Sequence, residues 1–187
     1  MRAFTAARTP DSPDEIWLTE HDPVYTFGIA GRPEHLHAGA GESATIPVVR
    51  SDRGGQVTYH GPGQVVLYTL MDLRRLGLTV RPFVERLETA VIDCLGIDGI
   101  TATGDRQRPG VYVDGAKIAA LGLKVSRGCT YHGLAFNADP DLAAFDAIDP
   151  CGHAGLAVTS ARRLGLDPSS EHWGERIAAA LTTRLQA

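Results

Sequence analysis

Cys151 stands between Pro150 and Gly152, in the run Asp149-Pro150-Cys151-Gly152-His153-Ala154-Gly155, outside any apolar stripe. A thiol in such a loop, set beside a cleft, could serve as a nucleophile. With a reference pKa near 8.5, only ~3% of a free thiol is thiolate at neutral pH. It therefore needs a cationic neighbour or a base. Lys117, Lys124, His132 and His153 are the candidates by residue type. Lys117 heads a nearly pure apolar strand, KIAALGL. Its amine either snorkels to solvent at the strand end or is held beside an apolar pocket, where desolvation lowers its pKa and makes it usable as acid or base. Cys94 falls on a helical apolar stripe and Cys129 within a strand, settings that suit packing rather than chemistry.

A second chemistry-bearing stretch is Ser51 to Leu70, SDRGGQVTYHGPGQVVLYTL. It sets Arg, Gln, Thr, Tyr and His beside four glycines, where bare backbone can approach a ligand. The plainer expectation is a β-hairpin with a glycine-rich turn at His60-Gly61-Pro62-Gly63. Gly61-x-Gly63 imitates the start of a dinucleotide fingerprint but lacks the third glycine and leads into a strand, so the phosphate-on-helix argument fails. Walker, nucleophile-elbow and H-E-x-x-H patterns are absent. Cys129-x-x-His132 with Cys151-x-His153 has zinc-ligand types without zinc-finger spacing, and His35-x-His37 reads as a solvent-exposed loop pair.

The elements that must position these groups follow from periodicity. Strands are expected at Glu15–Thr19 and Val24–Phe27, and a loop rich in Gly, Ala, Pro and His from Gly28 to Thr45. Pro82 to Leu95 carries apolar residues at helical spacing, with Gly96 as the stop. A strand at Ile100–Thr103 follows, then Val111–Val113 and Lys117–Val125 about Asp114-Gly115, and Cys129–Asn137 beyond a turn at Ser126-Arg127-Gly128, an antiparallel meander. Asp141–Ala147 is a helical turn, Thr159 a cap for Ser160–Leu164, and Ser169-Ser170 the cap of a last helix with Trp173, Ile177, Leu181 and Leu185 on one face. The fold class is α+β: a mixed, largely antiparallel sheet flanked by helices, in one domain over residues 1–187. Net charge −4 argues against a nucleic-acid partner. Three cysteines and the lack of an apolar run of membrane-spanning length point to a cytoplasmic protein.

Taken together, Arg53-Gly54-Gly55-Gln56-Val57-Thr58-Tyr59-His60-Gly61-Pro62-Gly63-Gln64 resembles the signature of the lipoyl(octanoyl) transferases. Gly110–Val113, Lys117–Leu123, His132–Ala135 and Asn137 resemble a second block of that family, and Pro150-Cys151-Gly152 a third. The resemblance implies the fold of biotin and lipoate ligases, with a sheet forming an acyl tunnel. It implies a reaction without cofactor or metal, in which an octanoyl group leaves an acyl carrier protein thioester. The group rests on Cys151 and passes to a lysine of lipoyl domains, those of 2-oxoacid dehydrogenase E2 subunits and of the glycine cleavage H protein. By the same resemblance Lys117 lowers the Cys151 pKa. Arg53, Gly54, Gly55, Gln56, Val57, Thr58, Tyr59, His60, Ala120, Leu121, Gly122, Gly133, Leu134 and Ala135 bind substrate. Family members usually carry a strand and helix start upstream of the position matching Met1, so the chain is expected to begin inside that helix. An ATP-using lipoate or biotin ligase of the same fold, or a non-catalytic lipoyl-domain binding module, are the competing functions.

Overall fold

The computed structural model describes residues 1–37, 46–152 and 155–186, the side chain of Cys151 excepted. In chain order the elements are α1 (Arg2–Ala7), β1 (Glu15–Thr19), β2 (Val24–Phe27), β3 (Val48–Arg50), β4 (Val57–His60), β5 (Gln64–Leu70) and α2 (Val80–Ile97). There follow β6 (Thr103–Gly104), β7 (Gly110–Val113), β8 (Ala116–Ser126), β9 (Cys129–Asn137) and α3 (Ser170–Gln186). Short 3₁₀ turns lie at Pro33–His35, Leu142–Ala147, Pro150–Gly152 and Arg162–Leu164.

Six strands form one sheet in the order β1-β5-β9-β8-β7-β6, and every neighbouring pair is antiparallel. Its meander is made by two-residue turns at Asp114-Gly115 and Arg127-Gly128, where all four residues have positive φ, the geometry that matches strand twist. A smaller sheet, β3-β2-β4, pairs β2 parallel to β3 and antiparallel to β4. The expected mixed, largely antiparallel α+β fold is therefore what forms.

The hairpin does not. β4 pairs with β2 in the small sheet, whereas β5 lies between β1 and β9 in the large one. The Gly61–Gly63 turn hands the chain from one sheet to the other. Its fixing partners are nonlocal: the Ala138 and Asp139 amides both donate to the Gly63 carbonyl.

Other expectations need smaller corrections. α2 runs through Gly96 and closes at Asp98-Gly99, where Ile100 N–H reaches Leu95 C=O and Gly99 N–H reaches Gly96 C=O. Only Thr103 of the Ile100–Thr103 run is in a strand. Ser160, not Thr159, accepts from the Arg163 amide at 3.3 Å, while the Thr159 amide donates to Lys117 C=O. The Gly28–Thr45 loop contains the Pro33–His35 turn, and its residues 38–45 lie outside the described part.

The main core lies on one face of the large sheet. Leu67, Leu134, Phe136, Val111 and Ile118 pack there against Phe83, Leu87 and Val91 of α2 and Trp173, Ile177 and Leu181 of α3. A second core gathers Tyr25, Phe27, Val57 and Tyr59 of the small sheet with Phe145 and Ile148. The opposite face of the large sheet and the opposite face of the small one are left to meet each other.

Candidate active site

Between those two faces lies a cavity of about 450 Å³. The register states which side chains face it. On the large sheet Val66 is opposite Ala135, which is opposite Ala120; Tyr68 is opposite Gly133, which is opposite Gly122. On the small sheet Val24 is opposite His60 and Thr26 opposite Thr58. All of these line the cavity, together with Arg53, Gly55 and Gln56 from the loop before β4. Leu121, Leu134 and Val57 border it as well, but their side chains belong to the two cores. The inward wall is instead small: two alanines and two glycines beneath Val66.

Gly133 is the tightest point of that wall. A Cβ there would lie 1.9 Å from Leu67 O, so only glycine lets β5 and β9 close up beneath the cavity. Two residues of the expected set do not line it. Tyr59 alternates to the far side of β4 and packs on Tyr25 and Phe145. Gly54 bonds through its amide to Leu123 O at 2.9 Å. Arg53 lines the cavity and also clamps its own loop. Its guanidinium donates to Thr26 Oγ1 and to the Gly54 and Gln56 carbonyls.

Lys117 sits on the cavity face of β8 because of an irregularity. Val111 pairs with Ala119 but Tyr112 pairs with Lys117, so Ile118 is an extra residue, a β-bulge. Without it Lys117 and Ala120, three apart, would face opposite sides. With it both share the face of Gly110 and Tyr112. The lysine is 3% exposed, which removes the solvent reading. Its Nζ donates to Pro109 O at 3.4 Å and lies 5.2 Å from the Tyr112 ring centroid.

The backbone of Cys151 lies in the Pro150–Gly152 turn, while His153, named above as a possible partner, lies outside the described residues. That turn is stitched to the cavity wall. The Asp149 amide donates to His35 O, and the His35 ring bonds Gln56 Oε1 at 3.1 Å. The Gly152 Cα faces the same pair, since a Cβ there would meet His35 Cε1 at 2.9 Å and the Gln56 amide at 3.2 Å. His37 in turn bonds Asp149 at 3.0 Å, and this pairing holds its ring above the ordinary imidazole range. Cys94 and Cys129 are both buried, and burial raises the Cys94 thiol. Among the described residues no cluster of three His, Cys, Asp or Glu could hold a metal.

Three histidines complete the polar part: the expected His60 and His132, and His21, which the sequence did not single out. His60 donates from Nδ1 to Gln64 Oε1 at 2.7 Å; Gln64 Nε2 donates to Asn137 Oδ1 at 2.9 Å, and Asn137 Nδ2 to Thr159 O at 3.0 Å. Burial, reinforced by the charge of Arg53 and by His21 and His132, lowers His60 to about 4 despite the Gln64 bond. The ring is neutral at physiological pH. His21 Nε2 meets Tyr68 Oη at 2.6 Å, and His132 Nε2 meets Asp52 Oδ1 at 2.9 Å. Burial alone would raise the Asp52 carboxyl, but hydrogen bonds from Tyr131, His132 and Arg2 hold it well below the usual range.

This is a mostly apolar slot with a neutral imidazole, a cysteine-bearing turn behind Gln56 and, beyond Ala120 on the same face of β8, a buried lysine. Residues 1–182 match the Lipoyl protein ligase A/B catalytic domain. The chain belongs to that family. An octanoyltransferase from Nitrosospira multiformis is 56% identical over 186 residues, which cover 100% of this chain and 85% of the relative. One from Thiobacillus denitrificans is 59% identical, covering 97% and 81% respectively. Among solved structures, lipoate-protein ligase A bound with ATP superposes with a TM-score of 0.81 at 16% identity, covering 99% of this chain and 78% of that one. The biotin protein ligase of Aquifex aeolicus gives 0.54 at 13% identity, over 66% and 53%. At such identities the likeness is one of fold, and the family's expected ligase-like architecture is present throughout the chain. No helix among the described residues is long and apolar enough to cross a membrane.

Proposed function

We propose that this chain is a cytoplasmic octanoyltransferase of lipoate assembly, which takes its acyl group from acyl carrier protein and delivers it to lipoyl domains. Those of 2-oxoacid dehydrogenase E2 subunits and of the glycine cleavage H protein are the acceptors. The observation that carries this reading is the cavity itself, lined by two of the three motif blocks, flanked by the Cys151 turn, and found in a chain more than half identical to octanoyltransferases. Apolar burial supplies ~0.8 kcal/mol per methylene, so an eight-carbon chain gains about 6 kcal/mol from the slot.

The Cys151 thiolate attacks the carbonyl carbon of the octanoyl thioester, and the bond to the carrier's sulfur breaks. One thioester replaces another, so the step is near balanced and needs no ATP. The deprotonated lysine amine of the lipoyl domain then attacks the Cys151 thioester. An amide forms and the cysteine sulfur leaves. Lys117, buried on the sheet face it shares with Ala120, accepts the thiol proton in the first half, returns it to the departing carrier thiolate, and assists removal of the amine proton in the second.

The test is a transfer assay with purified protein, octanoyl carrier protein and a lipoyl domain, with no ATP added. Octanoyl-lysine should form. Formation only with free octanoate and ATP would make the chain a ligase, like the ATP-bound structure whose fold it shares. Complex formation without transfer would make it a binding module.

A further inference from the structure

Glu88 is a buried carboxylate, 7% exposed, on the apolar face of α2 next to Leu87 and Val91. Such a group costs free energy unless something nearby compensates it. Its Oε1 accepts the Gly110 amide at 2.9 Å. The carbonyl of the same peptide group, Pro109 C=O, accepts from Lys117 Nζ. One peptide unit thus has a carboxylate on its N–H and an amine on its C=O, a chain in which each bond polarises the next.

Two glycines make room for it. Gly110 has φ +153°, and a Cβ there would lie 3.0 Å from Lys117 Cε and 2.8 Å from Ala119 O. A Cβ on Gly104 would approach Glu88 Oε2 to 2.9 Å. Carboxylate and amine therefore reach the same backbone from opposite sides of the sheet, the carboxylate from α2 and the amine from the face that Lys117 shares with Ala120.

We propose that Glu88 is a positioning residue for Lys117, bridged to it by the Pro109–Gly110 peptide, which fixes where the amine sits on the sheet. The inference rests on the catalytic reading of Lys117 given above. The charged and titratable groups facing the pair are Glu85 on α2, Asp105 and Arg108 in the loop before β7, and Tyr112 on β7. Burial raises the Glu88 carboxyl, while the Gly110 amide and the Lys117 charge pull it down.

Lys117 and Lys124 are the only lysines in the sequence, so ¹³Cε-lysine labelling yields two resonances, assigned with Lys124→Arg. Glu88→Gln keeps an oxygen for the Gly110 amide and deletes the charge. In Glu88→Gln the Lys117 resonance should move while the Lys124 resonance stays, and thiol acylation should slow several-fold. A folded Glu88→Gln protein with an unmoved Lys117 resonance overturns the proposal. Because that variant could fail to fold, the same coupling is read in the native protein: the Lys117 resonance should show an inflection where Glu88 titrates, and its absence overturns the proposal equally. Transfer that survives Lys117→Ala, with the Lys117 resonance still displaced in Glu88→Gln, sinks the catalytic role and leaves the bridge standing.

Discussion

The His60 ring gives its Nδ1 proton to Gln64 Oε1 across 2.7 Å, and the Gln64–Asn137–Thr159 chain behind it fixes that orientation. Nε2 is thereby kept as the lone-pair nitrogen in a residue that lines the cavity. With His60 at about 4 against an ordinary 6.5, the unfolded chain takes up this proton first as pH falls. His60 therefore leaves stability whole above about pH 6.5 and removes up to about 3 kcal/mol between there and pH 4. Urea unfolding at steps across that range should show the decline, and His60→Gln should flatten part of it. His132, also lowered by burial, adds to the same slope. A native protein equally stable at pH 7 and 4.5 would contradict the assignment.

Gly133→Ala is a test of the cavity floor. Its Cβ would meet Leu67 O at 1.9 Å, so β5 and β9 must part where both sheets are already closed. A loss of about 3 kcal/mol is expected, at the upper end for overpacking. Gly96→Ala, with nothing within 4 Å of the added atom and, like Gly133, no positive φ, serves as the control for an added Cβ in open space. Equal denaturation midpoints for the two would refute the close approach.

Much of this was legible in the sequence. Period-two runs and paired turn residues marked β7, β8 and β9, because their partners are neighbours in the chain. Ala120–Gly122 and most of the RGGQVTYH run, all but Gly54 and Tyr59, line the cavity as their motifs led one to expect. What was not legible depends on distant partners. Nothing local says that β4 leaves β5 for β2, and so nothing local turns Tyr59 outward. The Ile118 bulge that aims Lys117 exists only in the pairing with β7. His21 and Tyr68 meet across 47 residues, and the Glu88–Gly110 bond spans 22.

Ala120→Leu should narrow the slot by placing a larger side chain on its inward face. Removing room for methylenes at ~0.8 kcal/mol each should cost several-fold in octanoyl transfer per carbon displaced. Hexanoyl and butanoyl donors should be affected less. An unchanged preference among acyl lengths would show that the chain does not lie against Ala120.

Lys117→Ala should slow acylation of the enzyme thiol by at least about 100-fold, the low end for a positioned acid–base group. Its melting temperature should remain close enough to native for assay at 25 °C. Near-native acylation at neutral pH would remove Lys117 from the mechanism.

The central claim is that the acyl group rests on Cys151, and mass spectrometry reads it directly. After incubation with octanoyl carrier protein and digestion, an octanoyl adduct should sit on the Cys151 peptide, be released by hydroxylamine, and disappear when lipoyl domain is added. Cys151→Ser should give neither adduct nor transfer, while Cys94→Ser and Cys129→Ser retain both. An adduct on Cys94 or Cys129 instead, or full transfer by Cys151→Ser, would contradict the account.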